Sequence, residues 1–329
     1  MNLKNIGLST SAFGYAMGNT GKNTERRNPD PWTLEQFIEF AAERGFGGIE
    51  APLLRFVPDL DQARLKKIKS MLLERGMFFV IDAEKPLNID EIENLIPYAK
   101  EFNSPVIRIK SSSVLECARE KLGKPWREHV ENCVSVLTNL APDLRKFGIK
   151  IAIENHQDLD SNDLLEIVER VGSDIVGVNF DIGNAFSTCE DPRVFTEKLG
   201  SSILNVHLKD YKIYKSEDGF RLVRCPLGEG AVDFKTVLPI IEKNSPRANM
   251  VVELGALESR SIGFLKPGFW DHIAPRQAEE KKAFEKILEA KALNGDAWQT
   301  PWESGAAAPD IISYEIRQAE ESIPYIKQL

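Results

Sequence analysis

The sequence predicts a (β/α)8 barrel, an α/β TIM barrel, with a C-terminal extension. Three observations carry that expectation. Short runs rich in valine and isoleucine alternate with longer stretches of helical period. Eight such units fill about 255 residues, the usual size of this barrel. Polar residues collect at the C-terminal ends of the strands, where barrel enzymes keep their active sites. An open doubly wound sheet is the competing architecture, and it normally carries a glycine-rich phosphate loop after its first strand. The corresponding stretch, "STSAFGYAMGNTG", lacks the G-x-G-x-x-G spacing.

The elements follow in order. "NIGLSTSAFG" (5–14) reads as the first strand. "TLEQFIEFAAERGF" (33–46) reads as its helix, with Thr33 as N-cap and Gly45 as stop. Strand 47–52 precedes helix 59–75, strand 77–84 precedes helix 90–102, and strand 105–113 precedes helix 126–147, stopped by Gly148. "IKIAIEN" (149–155) is the fifth strand, followed by helix 161–171. Strands 175–184 and 203–210 take helices 191–199 and 233–244, and "NMVVELGA" (249–256) is the eighth strand. Residues 1–256 therefore form the expected barrel and 257–329 the extension. Within the extension Phe284, Ile287, Leu288 and Ala292 share a helical face, interrupted by Lys291. The remainder, with Trp270, Trp298 and Trp302, reads as irregular. It is expected to pack on the barrel, cover its mouth or serve an oligomer contact.

A net charge of −8 weighs against nucleic acid or an anionic membrane as partner, since both favour a basic face. Four cysteines without a C-x-x-C pair argue against a disulfide framework and for a reducing compartment. "MNLKNIGLST" has no apolar core of a signal peptide, and no run approaches the roughly 20 residues of a membrane span. A soluble cytoplasmic protein with a small-molecule substrate is expected, and a homo-oligomer is left open.

Strand side chains alternate with period two. Ile149, Ile151 and Ile153 share one face of the fifth strand, and Lys150, Ala152 and Glu154 the other. Val176, Val178 and Phe180 oppose Gly177, Asn179 and Asp181. Leu204, Val206 and Leu208 oppose Asn205, His207 and Lys209. Ile107 and Ile109 oppose Arg108 and Lys110, while Val252 and Leu254 oppose Val251 and Glu253. The bulky apolar face suits the helix ring and the small or polar face the barrel interior. Glu154, Asp181, His207 and Glu253 then converge at the C-terminal face. Several buried carboxylates cannot stay ionised together without a cation. With one imidazole they suit a divalent metal: Mn²⁺, Zn²⁺, Mg²⁺ or Co²⁺. Separate rim salt bridges with Arg108, Lys110 and Lys209 are the plainer reading of any one of these acids.

The motifs "IAIENH", "VNFDIGNAF", "VHLKD", "PLGEGAVDF" and "VVELG" resemble the sugar-phosphate isomerase/epimerase superfamily, the xylose-isomerase-like TIM barrels. These include the D-tagatose and allulose 3-epimerases. The resemblance covers about residues 5–256 as a barrel. It implies that Glu154, Asp181, His207 and Glu253 hold one divalent metal, and that Glu154 and Glu253 flank the substrate as an acid/base pair. Two departures concern substrate. Asn184 stands where the epimerases carry a histidine, and Asp160 where they carry a second glutamate.

Such a site suits removal of a proton next to a carbonyl. Return of the proton to the opposite face gives epimerisation. Return to the neighbouring carbon gives aldose–ketose isomerisation, and loss of a β-oxygen gives a lyase or dehydratase. His156 is a candidate base or leaving-group acid, or a hydrogen-bond partner of a ligand carboxylate. Asn184, Lys209 and Asp210 are candidates for substrate oxygens. Arg108 and Lys110 are candidates for a substrate anion or for neutralising the acidic interior. "PLGEG" (226–230) reads as a tight turn. An endonuclease IV-like enzyme or a non-catalytic sugar-binding subunit is a remote alternative; the former would need more histidines than the four present.

Overall fold

In the computed structural model, eight parallel strands close into a barrel. The structure describes residues 1–255, 257–273, 275–295 and 298–329; the expected domain boundary at residue 256 lies outside them. The barrel strands are β1 (Ile6–Ser9), β2 (Gly48–Pro52), β3 (Phe78–Asp82), β4 (Ile107–Lys110), β5 (Ile151–Glu154), β6 (Val176–Asp181), β7 (Ile203–Leu208) and β10 (Asn249–Val252). Their order around the barrel is β1-β10-β7-β6-β5-β4-β3-β2. Among the helices, α1 (Leu34–Glu43), α3 (Gln62–Glu74) and α4 (Ile89–Glu101) follow the first three strands, with a single turn α2 (Leu53–Phe56) after β2. The later crossovers are α5 (Trp126–Phe147), α6 (Ser161–Val171), α7 (Pro192–Leu199) and α8 (Phe234–Asn244).

Local chemistry explains where these elements start and stop. Thr33 and Gln36 form a reciprocal capping box on α1, satisfying two amides that the helix leaves free. Gly148 ends α5 at φ 68°, a left-handed conformation that a side chain disfavours. The apolar faces read from the strands do pack outward. Ile107, Ile109, Ile151, Ile153, Val176, Val178 and Phe180 join the large core shared with the helices. Each such burial contributes about 1.5–3 kcal/mol.

The interior is built differently at its two ends. A small apolar floor of Val80, Val106, Ala152 and Val251 packs with Phe78 and Leu204. Leu204 thus points inward, contrary to its expected face. The β6–β7 register slips between Val178 and Asn179, so Val178 pairs Ile203 while Asn179 pairs Asn205. That irregularity turns both Leu204 and Asn205 toward the axis. Above the floor the lining is polar.

Two features lie outside the eight-unit plan. A hairpin, β8 (Asp210–Ser216) and β9 (Gly219–Cys225), is inserted after β7 and takes β11 (Arg260–Ile262) as a third strand. In the extension, α9 (Ala278–Lys291) buries Phe284 against Phe220 and Phe186, at ring separations of 5.6 and 6.5 Å. It therefore packs on the inserted hairpin as well as on the barrel. The stretch read as irregular also contains a 19-residue helix, α10 (Ala308–Ile326). Its buried stripe is Ile311, Glu315, Gln318, Ala319, Ser322 and Ile326. Glu315 accepts the backbone N–H groups of Tyr15 and Ala16 at 2.8 and 2.9 Å, fixing the loop after β1. All four cysteines are buried and free. No helix among the described residues is long and apolar enough to cross a membrane.

Candidate active site

The inward-facing polar residues meet at the C-terminal ends of β5, β6, β7 and β10. Glu154, Asp181 and His207 are fully buried, and one donor atom from each lies within 4.8 Å of the others. His207 Nδ1 is 3.8 Å from Glu154 Oε2, 3.8 Å from Asp181 Oδ2 and 3.6 Å from Glu253 Oε2. One imidazole nitrogen thus faces three carboxylate oxygens.

The opposite ring nitrogen fixes that orientation. His207 Nε2 is 2.8 Å from Glu50 Oε1, at the end of β2. Asn205 Nδ2 donates to the other Glu50 oxygen at 3.0 Å. Burial alone would lower the His207 pKa; Glu50 and Glu154 outweigh it and hold the ring well above its ordinary value. Burial likewise opposes ionisation of Glu50, and His207 overcomes it, keeping that carboxyl below its usual range.

Two further cations balance the acids. Arg108 is buried and ion-paired through its guanidinium to Glu154, and lies 3.5 Å from Asp82 at the end of β3. Burial nevertheless raises the Glu154 pKa, and pushes Asp82 up to about 7. Lys209 bonds Asp181 Oδ2 and Glu253 Oε2, the same oxygens that face His207. Burial would raise Asp181, but Lys209 holds it down to about 2.

The motif "IENH" divides cleanly by direction. Glu154 points to the axis. Asn155 brackets the backbone of Asp181, donating to its carbonyl at 2.9 Å and accepting its N–H at 2.8 Å. His156 is half-buried, with Nδ1 sealed and without a hydrogen-bond partner among the described residues. Burial, then Lys110, Arg108, Lys209 and Arg260, push its pKa well below the ordinary value. That direction favours the neutral ring, a form that suits an acceptor or base. Lys110 pairs with Glu154 in register and is half-buried, its pKa lowered by burial and by Arg108.

Two other expected residues, and one departure, take structural posts. Asn184 has its amide engaged: Nδ2 donates to Asp181 at 2.8 Å, and Oδ1 accepts from Tyr211 at 2.9 Å. It positions the aspartate instead of reaching outward. Asp210, expected among the substrate groups, accepts the backbone N–H groups of Tyr211, Gly228, Gly230 and Val232. It ties down the 226–230 turn. Asp160, noted as a departure, is the N-cap of α6.

Sequence reasoning missed Glu50 and Asp82. Both were accessible to the parity rule, since Glu50 shares a face with Gly48 and Asp82 with Phe78 and Val80.

The donors of Glu154, Asp181 and His207, two carboxylates and one oriented imidazole, are a set that could hold a divalent cation, and Glu154 Oε1 is buried without a hydrogen-bond partner among the described residues.

Comparisons with known proteins agree with the fold. A family model described as "Xylose isomerase-like TIM barrel" matches residues 38–267. The chain is 25% identical over 250 residues to a 3-oxo-isoapionate decarboxylase of Pectobacterium atrosepticum, covering 75% of this chain and 84% of that one. It is 26% identical to an inosose isomerase of Halalkalibacterium halodurans, covering 67% and 82% of the respective chains. A D-psicose 3-epimerase structure from Clostridium cellulolyticum H10, with D-tagatose, superposes with a TM-score of 0.61 at 12% identity, covering 98% of both chains.

Proposed function

Because the chain belongs to the xylose isomerase-like TIM-barrel family, we propose that it is a divalent-metal-dependent sugar isomerase or epimerase acting next to the carbonyl of a ketose or keto-sugar. The observation that carries this is the ring of three carboxylate oxygens 3.6–3.8 Å from one His207 nitrogen, with Glu50 behind the ring. Glu154, Asp181, His207 and Glu253 would hold the ion. When bound, it would polarise the carbonyl and neighbouring hydroxyl oxygens and stabilise enediolate charge.

The chain's own groups then divide the work. Glu154 and Glu253 reach the cluster from β5 and from the residue after β10, strands separated by β6 and β7 in the barrel order. One removes the proton next to the carbonyl and the other returns it, to the opposite face or to the adjacent carbon. Burial already raises the Glu154 pKa, the direction that favours a proton-accepting carboxylate. Lys209 competes for Asp181 and Glu253 and, once displaced, is placed to donate to a substrate oxygen. His156, neutral at the mouth, accepts from a substrate hydroxyl.

A second reading is a lyase. Loss of carbon dioxide from a keto-sugar acid leaves the same kind of enolate and requires no leaving-group acid, in keeping with the neutral His156. The decarboxylase relative supports it.

Incubation with keto-sugars in D₂O and Mn²⁺ tests both. Deuterium uptake without loss of any fragment supports the isomerase or epimerase. Release of carbon dioxide or an eliminated group supports the lyase. Wild-type activity in Glu154→Ala would refute the assignment of the base pair.

A further inference from the structure

The inserted three-stranded sheet carries chemistry that neither reading above uses. Its inner face begins apolar. Phe220 and Leu222 of β9 and Ile262 of β11 are buried in the main core. Period-two alternation places Arg224 on the same face as Phe220 and Leu222. Arg260 stands opposite Leu222 in the antiparallel register, so it shares that face too. An arginine pair therefore continues an apolar, inward-facing stripe.

Arg224 is buried and Arg260 half-buried, and neither has its guanidinium fully engaged. Arg224 is 6% exposed and donates from one terminal nitrogen to the Glu258 carbonyl at 2.8 Å. Arg260 lies 3.3 Å from a Glu258 carboxylate oxygen. The Nε of each is buried without a hydrogen-bond partner among the described residues. Leaving a guanidinium N–H unpaired inside a protein is costly. Burial lowers the Arg260 pKa, and the neighbouring Arg224 lowers it further.

The pair overlooks the acid cluster. Glu253 Oε1 and Arg224 Nε lie 2.9 and 3.6 Å from the point where a Gly255 side chain would begin, so the two groups are neighbours. The charge of Arg224 bears on Lys209, and those of Arg260 and Lys110 bear on His156. The mouth thus has an acidic pole suited to a metal and a basic pole suited to an anion.

We propose that Arg224 and Arg260, with Lys110, form an anion-binding subsite that takes the carboxylate or phosphate of an acidic keto-sugar while its carbonyl end meets the Glu154–Asp181–His207–Glu253 cluster. The planar guanidinium fork matches either group. The inference rests on the proposed function and narrows its substrate class.

Calorimetric titration of the Mn²⁺-loaded protein tests it with three probes: 5-keto-D-gluconate for a carboxylate, D-fructose 6-phosphate for a phosphate, and neutral D-tagatose. At least one anionic probe is expected to bind about tenfold or more tighter than D-tagatose, the margin shrinking as salt rises. The better anion identifies the group. Arg224→Gln/Arg260→Gln should abolish the margin while D-tagatose binding stays within about twofold. If that double variant does not fold, Arg260→Gln alone should reduce the margin. Equal affinity for charged and neutral probes, no binding of either anion, or an unchanged margin in the variants would overturn the subsite and leave the arginines as counter-charges to the acids. Deuterium exchange on D-tagatose reports the proposed function separately, so either can fail without the other.

Discussion

Glu50→Gln isolates the group that aims His207. The substitution preserves shape at a fully buried position. It removes the negative charge 2.8 Å from His207 Nε2. It also forces a choice on the new amide. Its NH₂ must face either the Asn205 amide, which now donates at 3.0 Å, or the imidazole. Facing Asn205 gives up a buried hydrogen bond, costing about 1–3 kcal/mol, while facing the ring sets an N–H donor where a carboxylate oxygen stood. Removing a carboxylate behind a metal-binding histidine typically lowers metal affinity 10–100-fold, about 1.4–2.7 kcal/mol. Mn²⁺ titration calorimetry of wild type and variant should show that drop, with an unchanged far-ultraviolet circular dichroism spectrum. An affinity within twofold of wild type in a folded variant would refute the role given to Glu50.

Three other outcomes follow from the same geometry. Arg108→Met leaves Glu154 and Asp82 buried without their guanidinium and should cost about 3–5 kcal/mol in urea unfolding; a loss under about 1 kcal/mol would contradict the pairing. Lys209→Met removes the ammonium that shares oxygens with the proposed ion, so Mn²⁺ should bind several-fold tighter and raise Tm more than in wild type; weaker binding would show that Lys209 supports the ion. Burial raises Glu315 from 4.5 to about 8, against the two amides it accepts. Its folded state therefore holds the proton more tightly than the unfolded chain. The stability it contributes is full below about 4.5 and is lost as pH rises through about 8, with a slope of at most about 1.4 kcal/mol per pH unit. Glu315→Gln should flatten that part of the urea-unfolding profile, and an identical slope would contradict the reading.

The eight-unit order was legible because each barrel strand alternates a helix-facing apolar residue with an inward one. The same rule placed Glu154, Asp181, His207 and Glu253 together without any distance. Where it failed, an irregularity or an insertion intervened. Leu204 turned inward because the β6–β7 register slips, an event that leaves no mark in the residue pattern. The hairpin after β7 was absorbed into the loop before α8, since the seventh strand reads from the residue pattern as ending at Asp210. The α10 helix was hidden because half of its buried positions are polar, among them Glu315 and Ser322. Their partners, the loop after β1 and the amide of Leu227, are remote in sequence. Glu50 and Asp82 were within reach, as inward residues at the ends of their strands. Asn184 and Asp210 stood at suggestive positions, but only the fold shows which hydrogen bonds already occupy them.

One divalent ion is proposed to sit among Glu154, Asp181, His207 and Glu253. Diffraction from crystals grown with Mn²⁺, recorded at its absorption edge, tests it most directly. One strong anomalous peak per chain is expected, within about 2.0–2.4 Å of oxygens from Glu154, Asp181 and Glu253 and of His207 Nδ1, with its loss in Asp181→Ala. A peak elsewhere, or none at saturating Mn²⁺, would contradict it.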